Sequence, residues 1–206
     1  MMKIIKYVLA ITVIIVIAYN SVFFRSLAKL KAEKELKKFN AKEFADSYIK
    51  RKLLPSVDDL LDFDVLMRAL RSSPQKAFKS YSNSLAIGNI RFFMVKGKGI
   101  ITSISDDNLS LITAGGEEVN IATEFVFGNA LRDASGAIKV DDFNNSTDLN
   151  NVSAEINKIV REQILPPVKS KVRKGEVVNF AGAFELNQEY VNLNNIEILP
   201  VKLTIQ

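Results

Sequence analysis

The sequence predicts an α+β protein in which an N-terminal transmembrane or signal-anchor helix and a small helical annex precede an OB-like five-stranded β-barrel. Three observations lead to this class. An apolar run covers residues 4–24, amphipathic helical patterns cover residues 40–84, and five strand-like segments follow with one amphipathic helix between the third and the fourth. Three strands, a helix and two strands, with a bent first strand, match the connectivity of an OB-like barrel. An open α+β sheet is the alternative.

The apolar run is about as long as the roughly 20 residues that a helix needs to cross a bilayer. Lys3 and Lys6 stand at its start, and Ala18 is followed by Tyr19 and Asn20 rather than by a small-x-small cleavage site. We therefore expect an uncleaved signal anchor over residues 1–24. A cleaved signal peptide and a buried core helix are the alternatives. Residues 25–39 are rich in Lys, Glu, Ala and Leu and predict a basic helical stalk, with a flexible linker as the alternative.

The composition excludes several kinds of functional site. The 206 residues include no Cys, no His and no Trp. Without Cys there are no disulfides, zinc-thiolate sites or Cys nucleophiles, and without His there is no Ser-His-Asp triad. A catalytic metal site would need oxygen ligands alone. The sequence thus points away from enzymes, and we predict no catalytic residue, no cofactor and no metal.

The net charge of +5 is concentrated beside the apolar run. Residues 25–52 hold ten Lys or Arg against four Asp or Glu, whereas residues 53–206 hold sixteen against nineteen. The basic segment would attract anionic lipid by about 1 kcal/mol per residue near the surface. The folded part shows no basic concentration, so no nucleic-acid partner is predicted. The positive-inside count favours a cytoplasmic C-terminal part and the basic start favours export, so charge leaves the topology open.

Local signals divide the remainder into a helical annex over residues 40–84 and an OB-like β domain over residues 85–206. Asn40 and Glu43 predict a capped first helix, Asp58 and Asp59 the start of a second, and Ser73-Pro74 the start of a third. Gly97 and Gly99 interrupt the first long strand and predict a bulge or bend. The segment Gly97-Lys98-Gly99 is not a phosphate-binding loop, because it lacks the strand–loop–helix context and a following Lys-Ser or Lys-Thr.

The loop from Glu124 to Asn145 holds the candidate binding residues. Arg132 is a natural donor to a carboxylate, phosphate or diol, and Asp133 could orient it. Oxygen atoms of Asp142, Asn144 and Asn145 could accept hydrogen bonds from sugar hydroxyls or hold a hard cation. The alternative is structural, with an internal Arg132–Asp133 salt bridge and a helix cap between Asp142 and Ser146. Structural roles in and around such a loop are expected for Gly97, Gly99, Gly128 and Phe143.

Two adjacent aromatic residues in the first long strand are a further candidate. Phe92 and Phe93 could stack on a base or a sugar in a barrel groove. Neighbouring residues in a strand point to opposite faces, so we expect at least one of the two in the core.

Five short segments occur in a characteristic order: Gly97-Lys98-Gly99, Phe127-Gly128-Asn129-Ala130, Leu131-Arg132-Asp133-Ala134, Asp142-Phe143-Asn144-Asn145 and Gly182-Ala183-Phe184. In these segments, over roughly residues 40–206, the chain resembles an uncharacterised bacterial family of predicted periplasmic lipoproteins, in its membrane-anchored Bacteroidetes-type form. The resemblance implies an extracytoplasmic location and, since members are often encoded beside sugar ABC-transporter components, a role near carbohydrate uptake. It supplies no catalytic residue. The chain departs from the family in lacking the lipidated Cys, which the uncleaved helix is expected to replace.

Together these observations predict a non-enzymatic binding or accessory module, anchored in the inner membrane with its C-terminal domain in the periplasm. It would bind a small sugar-like ligand or a sugar-transporter component through the Arg132–Asn145 loop. One alternative is a carboxylate- or metal-assisted enzyme on carbohydrate, which needs two or more of Asp133, Asp141 and Asp142 to converge in a pocket. The other is a structural spacer or assembly factor in an envelope complex.

Overall fold

A computed structural model describes residues 39–206, together with positions 5, 7, 11–14, 16, 17 and 19. The chain divides into two units, Met1–Phe39 and Asn40–Gln206. In the first unit the described positions up to residue 19 are helical and exposed, whereas Phe39 is non-helical and half-buried. Among the residues that the structure describes, no helix has the length and apolar character required to cross a membrane. The predicted stalk, apart from Phe39, and much of the predicted anchor lie outside the described residues.

The second unit begins with three helices. Helix α1 covers Ala41–Tyr48, with the side chain of Asn40 accepting a hydrogen bond from the Glu43 N–H at 3.1 Å as its predicted cap. A π-helical turn, Ile49–Leu53, and a 3-10 helix, Leu54–Asp59, extend it. Helices α2 and α3 cover Phe63–Ser72 and Pro74–Tyr81.

Helix α2 starts later than the sequence predicts. Asp58 and Asp59 end the 3-10 helix, and Leu60 is extended with a ψ of 148°. The next two residues form strand β1, Leu61–Asp62, which pairs with the long strand Ile90–Ile104. Asp62 is therefore the cap of α2, and its carboxylate accepts from the Asp64 N–H at 2.9 Å. Sheet pairing keeps the chain extended here until a side chain able to cap is in place.

Five strands close into a barrel, which confirms the predicted OB-like connectivity. The barrel strands are β3 Ile90–Ile104, β4 Asn108–Thr113, β5 Glu118–Ala122, β6 Val177–Asn187 and β7 Glu197–Ile205. They pair in the order β3-β4-β5-β7-β6 and β6 returns to β3; β5 and β7 are parallel and the other neighbours antiparallel. Closure removes the exposed edges that an open sheet would leave. A short strand β2, Ser82–Asn83, and β1 both pair with β3 outside this ring.

The glycines of β3 serve close packing rather than the predicted bulge. The register irregularity of this strand lies between Ile101 and Ser103. Gly97 and Gly99 are ordinary members of the ladder with β6. A Cβ atom on Gly97 would strike the ring of Phe180, which is buried inside the barrel. The interior of a small barrel is filled by side chains, so the strand needs glycine where a large ring points at its backbone.

An aromatic cluster joins the helices to the barrel. Phe93 of β3 and Phe184 of β6 stack at 5.3 Å between ring centroids, and Phe63 of α2 meets Phe184 edge-on at 6.1 Å. Phe78 of α3 packs edge-on against Phe93 at 5.2 Å between ring centroids. Phe92 is buried as well as Phe93, so neither ring is available to stack on a ligand. The residues of the predicted annex and of the predicted β domain therefore share one hydrophobic core within Asn40–Gln206.

The connection from β5 to β6 holds the remaining helices. Helix α4 covers Ala130–Asp133, a 3-10 turn covers Val140–Asp142, and helix α5 covers Ser146–Ile159. A π-helical turn, Val160–Ile164, and helix α6, Pro166–Lys169, complete it. Helix α5 packs against α1. The amphipathic helix predicted between the third and fourth barrel strands is thus present, and α4 is an additional element within the predicted loop.

Candidate functional site

Arg132 and Asp133 form a buried ion pair on α4. Arg132 is 5% and Asp133 2% exposed. The guanidinium donates from Nε to Oδ1 of Asp133 at 2.5 Å and from Nη2 to Oδ2 at 3.2 Å. Its Nη1 donates to the main-chain oxygen of Leu149 in α5 at 3.3 Å. The donor face that the sequence assigns to a ligand is thus directed at the protein itself, as in the structural alternative.

Tyr48 holds α4 from the side of α1. Its hydroxyl lies 3.1 Å from the carbonyl oxygen of Leu131, 3.2 Å from that of Arg132 and 2.6 Å from Oγ of Ser135. Burial raises the pKa of Tyr48 to about 12, against a lowering contribution from the Ser135 hydrogen bond. The neutral hydroxyl of Tyr48 therefore connects α1 to α4, the helix that carries the ion pair.

The other predicted binding residues serve local structure. Asp142 accepts from the main-chain N–H of Lys139 at 2.9 Å, and Asn145 caps α5 by accepting from the Asp148 N–H at 2.9 Å. Phe143 packs edge-on against Phe44 of α1 at 5.3 Å. Asn144 is exposed.

The predicted set therefore separates into a buried pair and an exposed group. Asp141 and Asp142 are exposed whereas Asp133 is buried, so the three carboxylates lie in different environments. Ligand binding by the Arg132–Asn145 loop stays a prediction.

A cleft lies between the start of the same loop and the connection from β6 to β7. Its volume is about 470 Å³, and its floor includes Phe184, Leu186 and Leu199 of the barrel. Two exposed phenylalanines form one wall, and an asparagine-rich turn forms the other. We name it the Phe–Asn cleft after its distinguishing residues: Phe125, Phe127, Asn192, Asn194, Asn195 and Glu197.

Strand-like alternation around Val126 directs both phenylalanines outward. Val126 is fully buried, while Phe125 is 59% and Phe127 61% exposed. Their ring centroids lie 6.5 Å apart with planes tilted by 30°. The guanidinium carbon of Arg161 lies 5.1 Å from the centroid of Phe127, a cation–π contact that covers part of this ring.

The backbone that carries the two rings is fixed by α5 and its extension. Arg161 donates to the carbonyl of Val126, and Asn157 donates to the carbonyl of Gly128 at 2.9 Å. Gly128 has a φ of +82°, a value that favours glycine, which supports its predicted structural role. The amide of Asn129 accepts from Ser153 at 2.9 Å. These contacts fix the segment that carries the rings, so less backbone ordering would be needed on binding.

The opposite wall is a turn shaped by its own asparagines. Asn187 accepts from the N–H of Glu189 at 2.9 Å, and Asn192 accepts from the N–H of Asn194 at 3.0 Å. Asn195 adopts a φ of +57°. Asparagine tolerates this left-handed conformation better than most residues do. The turn ends where Ile196 enters the core and accepts from the N–H of Asn120 at 2.9 Å.

Glu197 adds a carboxyl group with altered acidity. Partial burial, and then the negative charge of Asp107, raise the pKa of Glu197 above its ordinary value. Glu185 also lines the cleft. Among the described residues no group of three or more acidic side chains is placed to hold a metal ion. The cleft thus offers aromatic faces, amide donors and acceptors, and carboxyl acceptors.

The size and lining of the cleft resemble those of small-molecule sites, which measure about 300–1,000 Å³ and combine apolar walls with a few polar groups. Sequence reasoning missed it because its two walls are more than sixty residues apart in the sequence. A local signal was present nonetheless: Phe125 and Phe127 alternate about one apolar residue, and three asparagines fall within Asn192–Asn195.

Comparisons with known proteins agree with the fold. An OB-fold protein of Thermotoga maritima, known from a crystal structure, matches with a TM-score of 0.73 and 25% sequence identity, over 82% of this chain and 100% of that chain. A search of curated proteins finds no match. A family model described as "Predicted periplasmic lipoprotein (DUF2291)" matches residues 12–204. The chain therefore belongs to this family of predicted periplasmic lipoproteins of unknown function, whose place is the cell envelope outside the cytoplasm.

Proposed function

We propose that the folded unit is a non-enzymatic binding module and that the Phe–Asn cleft takes an uncharged polyhydroxyl ligand of the sugar type. The module would be held at the inner membrane by the N-terminal anchor predicted for residues 1–24. It would serve as an accessory to a sugar transporter, to which it presents or from which it receives the ligand. The binding residues of this proposal are those of the Phe–Asn cleft rather than Arg132 and Asp133.

The observation that carries the proposal is the pair of exposed phenylalanine rings on a held backbone segment. Large aromatic side chains are usually buried, because burying one gains about 1.5–3 kcal/mol. Phe125 and Phe127 remain more than half exposed although Arg161 and Asn157 hold the backbone carbonyls of Val126 and Gly128 beside them. An exposed pair on a rigid support is typical of a binding surface.

The polar groups beside the rings determine the kind of ligand. Amide groups of Asn192, Asn194 and Asn195 can donate and accept, and the carboxyl groups of Glu185 and Glu197 can accept from hydroxyls. A sugar offers hydroxyls at its rim and C–H groups on its ring faces, so it matches both parts of the cleft. A nucleic acid would bring phosphates next to two carboxylates, which is unfavourable.

Titration calorimetry on the full chain in neutral detergent tests the proposal. The probes are a panel of monosaccharides and disaccharides. We expect at least one saccharide to bind wild-type protein and to bind Phe125→Ala/Phe127→Ala at least about tenfold more weakly, a difference of about 1.4 kcal/mol. Asn194→Ala should weaken binding as well, because it removes an amide from the opposite wall.

Tyr81→Ala is the matched control, since Tyr81 is an exposed aromatic residue on α3 that does not line the cleft. It should leave affinity within about twofold. Unchanged melting temperatures by circular dichroism would show that each variant is folded. The proposal is wrong if no saccharide binds, or if binding survives loss of both rings. Loss of binding in Arg132→Ala, with the melting temperature intact, would instead return the site to the loop predicted from the sequence.

A further inference from the structure

Three lysines share one face of the barrel away from the Phe–Asn cleft. The ladder places Lys96 of β3, Ala181 of β6 and Lys202 of β7 in one row across neighbouring strands. Lys98, Asn179 and Thr204 form the next row on the same side, because residues two apart in a strand point to the same face. These two rows line a cleft of about 410 Å³, which we name the lysine cleft.

The spacing of the three lysines suits a single anion. Strands in a sheet are about 4.8 Å apart, so Lys96 and Lys202 are separated by about 10 Å across β6, and Lys96 and Lys98 by about 7 Å along β3. Ala181 lies between the first two. Ala181 is itself buried and forms the floor between the two lysines, and the flexible lysine side chains can converge above this floor.

Two of the three ammonium groups are free to bind. Lys96 donates to the main-chain oxygen of Asp58, in the 3-10 helix that borders the cleft. In residues 39–206, neither Lys98 nor Lys202 has a hydrogen-bond or ion-pair partner for its side chain. Exposed lysines are common, but here the neutral Asn179 and Thr204 lie beside them and can add hydrogen bonds to the same ligand.

The carboxylates at the rim compete only in part. Asp62 lines the cleft, but its side chain accepts from the N–H groups of Asp64 and Val65 at the start of α2. The positive end of the helix offsets part of that charge. Asp58 is exposed. Its carboxylate therefore repels an incoming anion, so removing this charge should raise the affinity for an anion, whereas removing a lysine should lower it.

We propose that the lysine cleft is a binding site for a phosphate group, held by Lys98 and Lys202 with Lys96 in support. Three ammonium groups around a small floor favour a compact, highly charged oxyanion, for which lysine acts as a point charge. The phosphate could belong to a soluble phosphorylated molecule or to a lipid headgroup. This site shares no lining residue with the Phe–Asn cleft, and the inference does not rest on the proposed function.

Calorimetry on the full chain in neutral detergent micelles tests the site. Inorganic phosphate and glycerol phosphate are titrated into one set of samples, and micelles doped with phosphatidylglycerol into another. We expect Lys98→Gln/Lys202→Gln to weaken phosphate binding about tenfold or more, because it removes two charge-assisted contacts. Asp58→Asn should strengthen binding severalfold by removing a repulsive charge.

The matched control removes the same charge elsewhere. Lys76→Gln/Lys158→Gln alters two exposed lysines outside the lysine cleft, so any equal loss of affinity would be a net-charge effect. The inference is overturned if the two double variants lose affinity equally, or if wild-type protein binds neither set of probes. Binding of the soluble phosphates alone identifies a soluble ligand, and binding of the doped micelles alone identifies a headgroup; either outcome supports the site.

Discussion

Replacing Arg132 by Ala decides whether the buried ion pair is structural. The substitution leaves the carboxylate of Asp133, only 2% exposed, without the guanidinium that now holds both of its oxygens. Removing one partner of a buried pair costs about 3–5 kcal/mol, because the remaining charge is desolvated and unpaired. The hydrogen bond to the carbonyl of Leu149 is lost as well. A domain of ordinary stability has only about 5–15 kcal/mol in total.

Urea unfolding followed by circular dichroism measures this effect, since the chain has no Trp for fluorescence. With an m-value of about 2 kcal/mol per molar urea, the expected loss lowers the unfolding midpoint by about 1.5–2.5 M. Lys50→Ala is the control, because Lys50 forms an exposed ion pair with Asp46 at 2.8 Å. Such surface pairs contribute at most about 1 kcal/mol.

A double variant separates charge burial from packing. Arg132→Met/Asp133→Leu removes both charges and keeps most of the volume, so it should be clearly more stable than Arg132→Ala. The reasoning fails if Arg132→Ala destabilises no more than Lys50→Ala, or if the double variant is as unstable as the single one. The first result, combined with loss of ligand binding, would establish Arg132 as the ligand donor that the sequence suggests.

Three further predictions concern contacts between distant elements. Tyr48→Phe should cost about 1–2 kcal/mol, measured by the same unfolding, because two buried carbonyls lose a donor. Since the folded pKa of Tyr48 is raised to about 12 from 10.0, its contribution is complete below pH 10 and lost as pH rises towards 12, so Tyr48→Phe should show a shallower loss of stability there than wild type. Gly182→Ala should cost about 1–3 kcal/mol by thermal melting, because the new Cβ meets the main-chain oxygen of Leu199. Asp64→Ala should cost about 1–3 kcal/mol and increase hydrogen exchange in the β4–β5 turn, because the Asp64 carboxylate accepts a hydrogen bond at 2.5 Å from the hydroxyl of Thr113, at the end of β4. Unchanged exchange in this turn would contradict the role of Asp64 in holding it.

The order of the barrel elements could be predicted because local patterns specify it. Alternating apolar residues mark the strands, and the apolar face of the Ser146–Ile159 helix marks the crossover between β5 and β6. Asn40 was identified correctly as a cap because capping needs only neighbours in sequence. The predicted start of α2 is wrong because Leu61–Asp62 pairs with β3, some thirty residues away in sequence, and is held extended by it. Two-residue strands have no periodicity from which they could be predicted.

The candidate site was predicted only in part for the same reason. A sequence shows that Arg132 and Asp133 are adjacent, but not that α1 and α5 cover them and turn a binding pair into a buried one. Conversely, Phe125 and Phe127 look like core residues of a strand. They are exposed because Val126 between them takes the buried position and because β5 has already ended at Ala122. Burial depends on how the helices and strands pack together, so the role assigned to a residue from sequence can change once its burial is known.

Strand β6 contributes to both proposed sites, which raises the question of whether they communicate. Ala181 lines the lysine cleft and Glu185 the Phe–Asn cleft, four residues and about 13 Å apart along the strand. Sites separated by more than about 7–10 Å without shared partners usually behave additively within about 0.5 kcal/mol. The strand between them is paired on both sides and packed on buried rings, so it offers no second arrangement that a ligand could favour. We therefore expect phosphate affinity to change less than about twofold when the Phe–Asn cleft is saturated with saccharide. A larger change in the phosphate affinity measured by calorimetry would mean that the β6–β7 hairpin moves on binding, and that the two clefts are energetically coupled rather than independent.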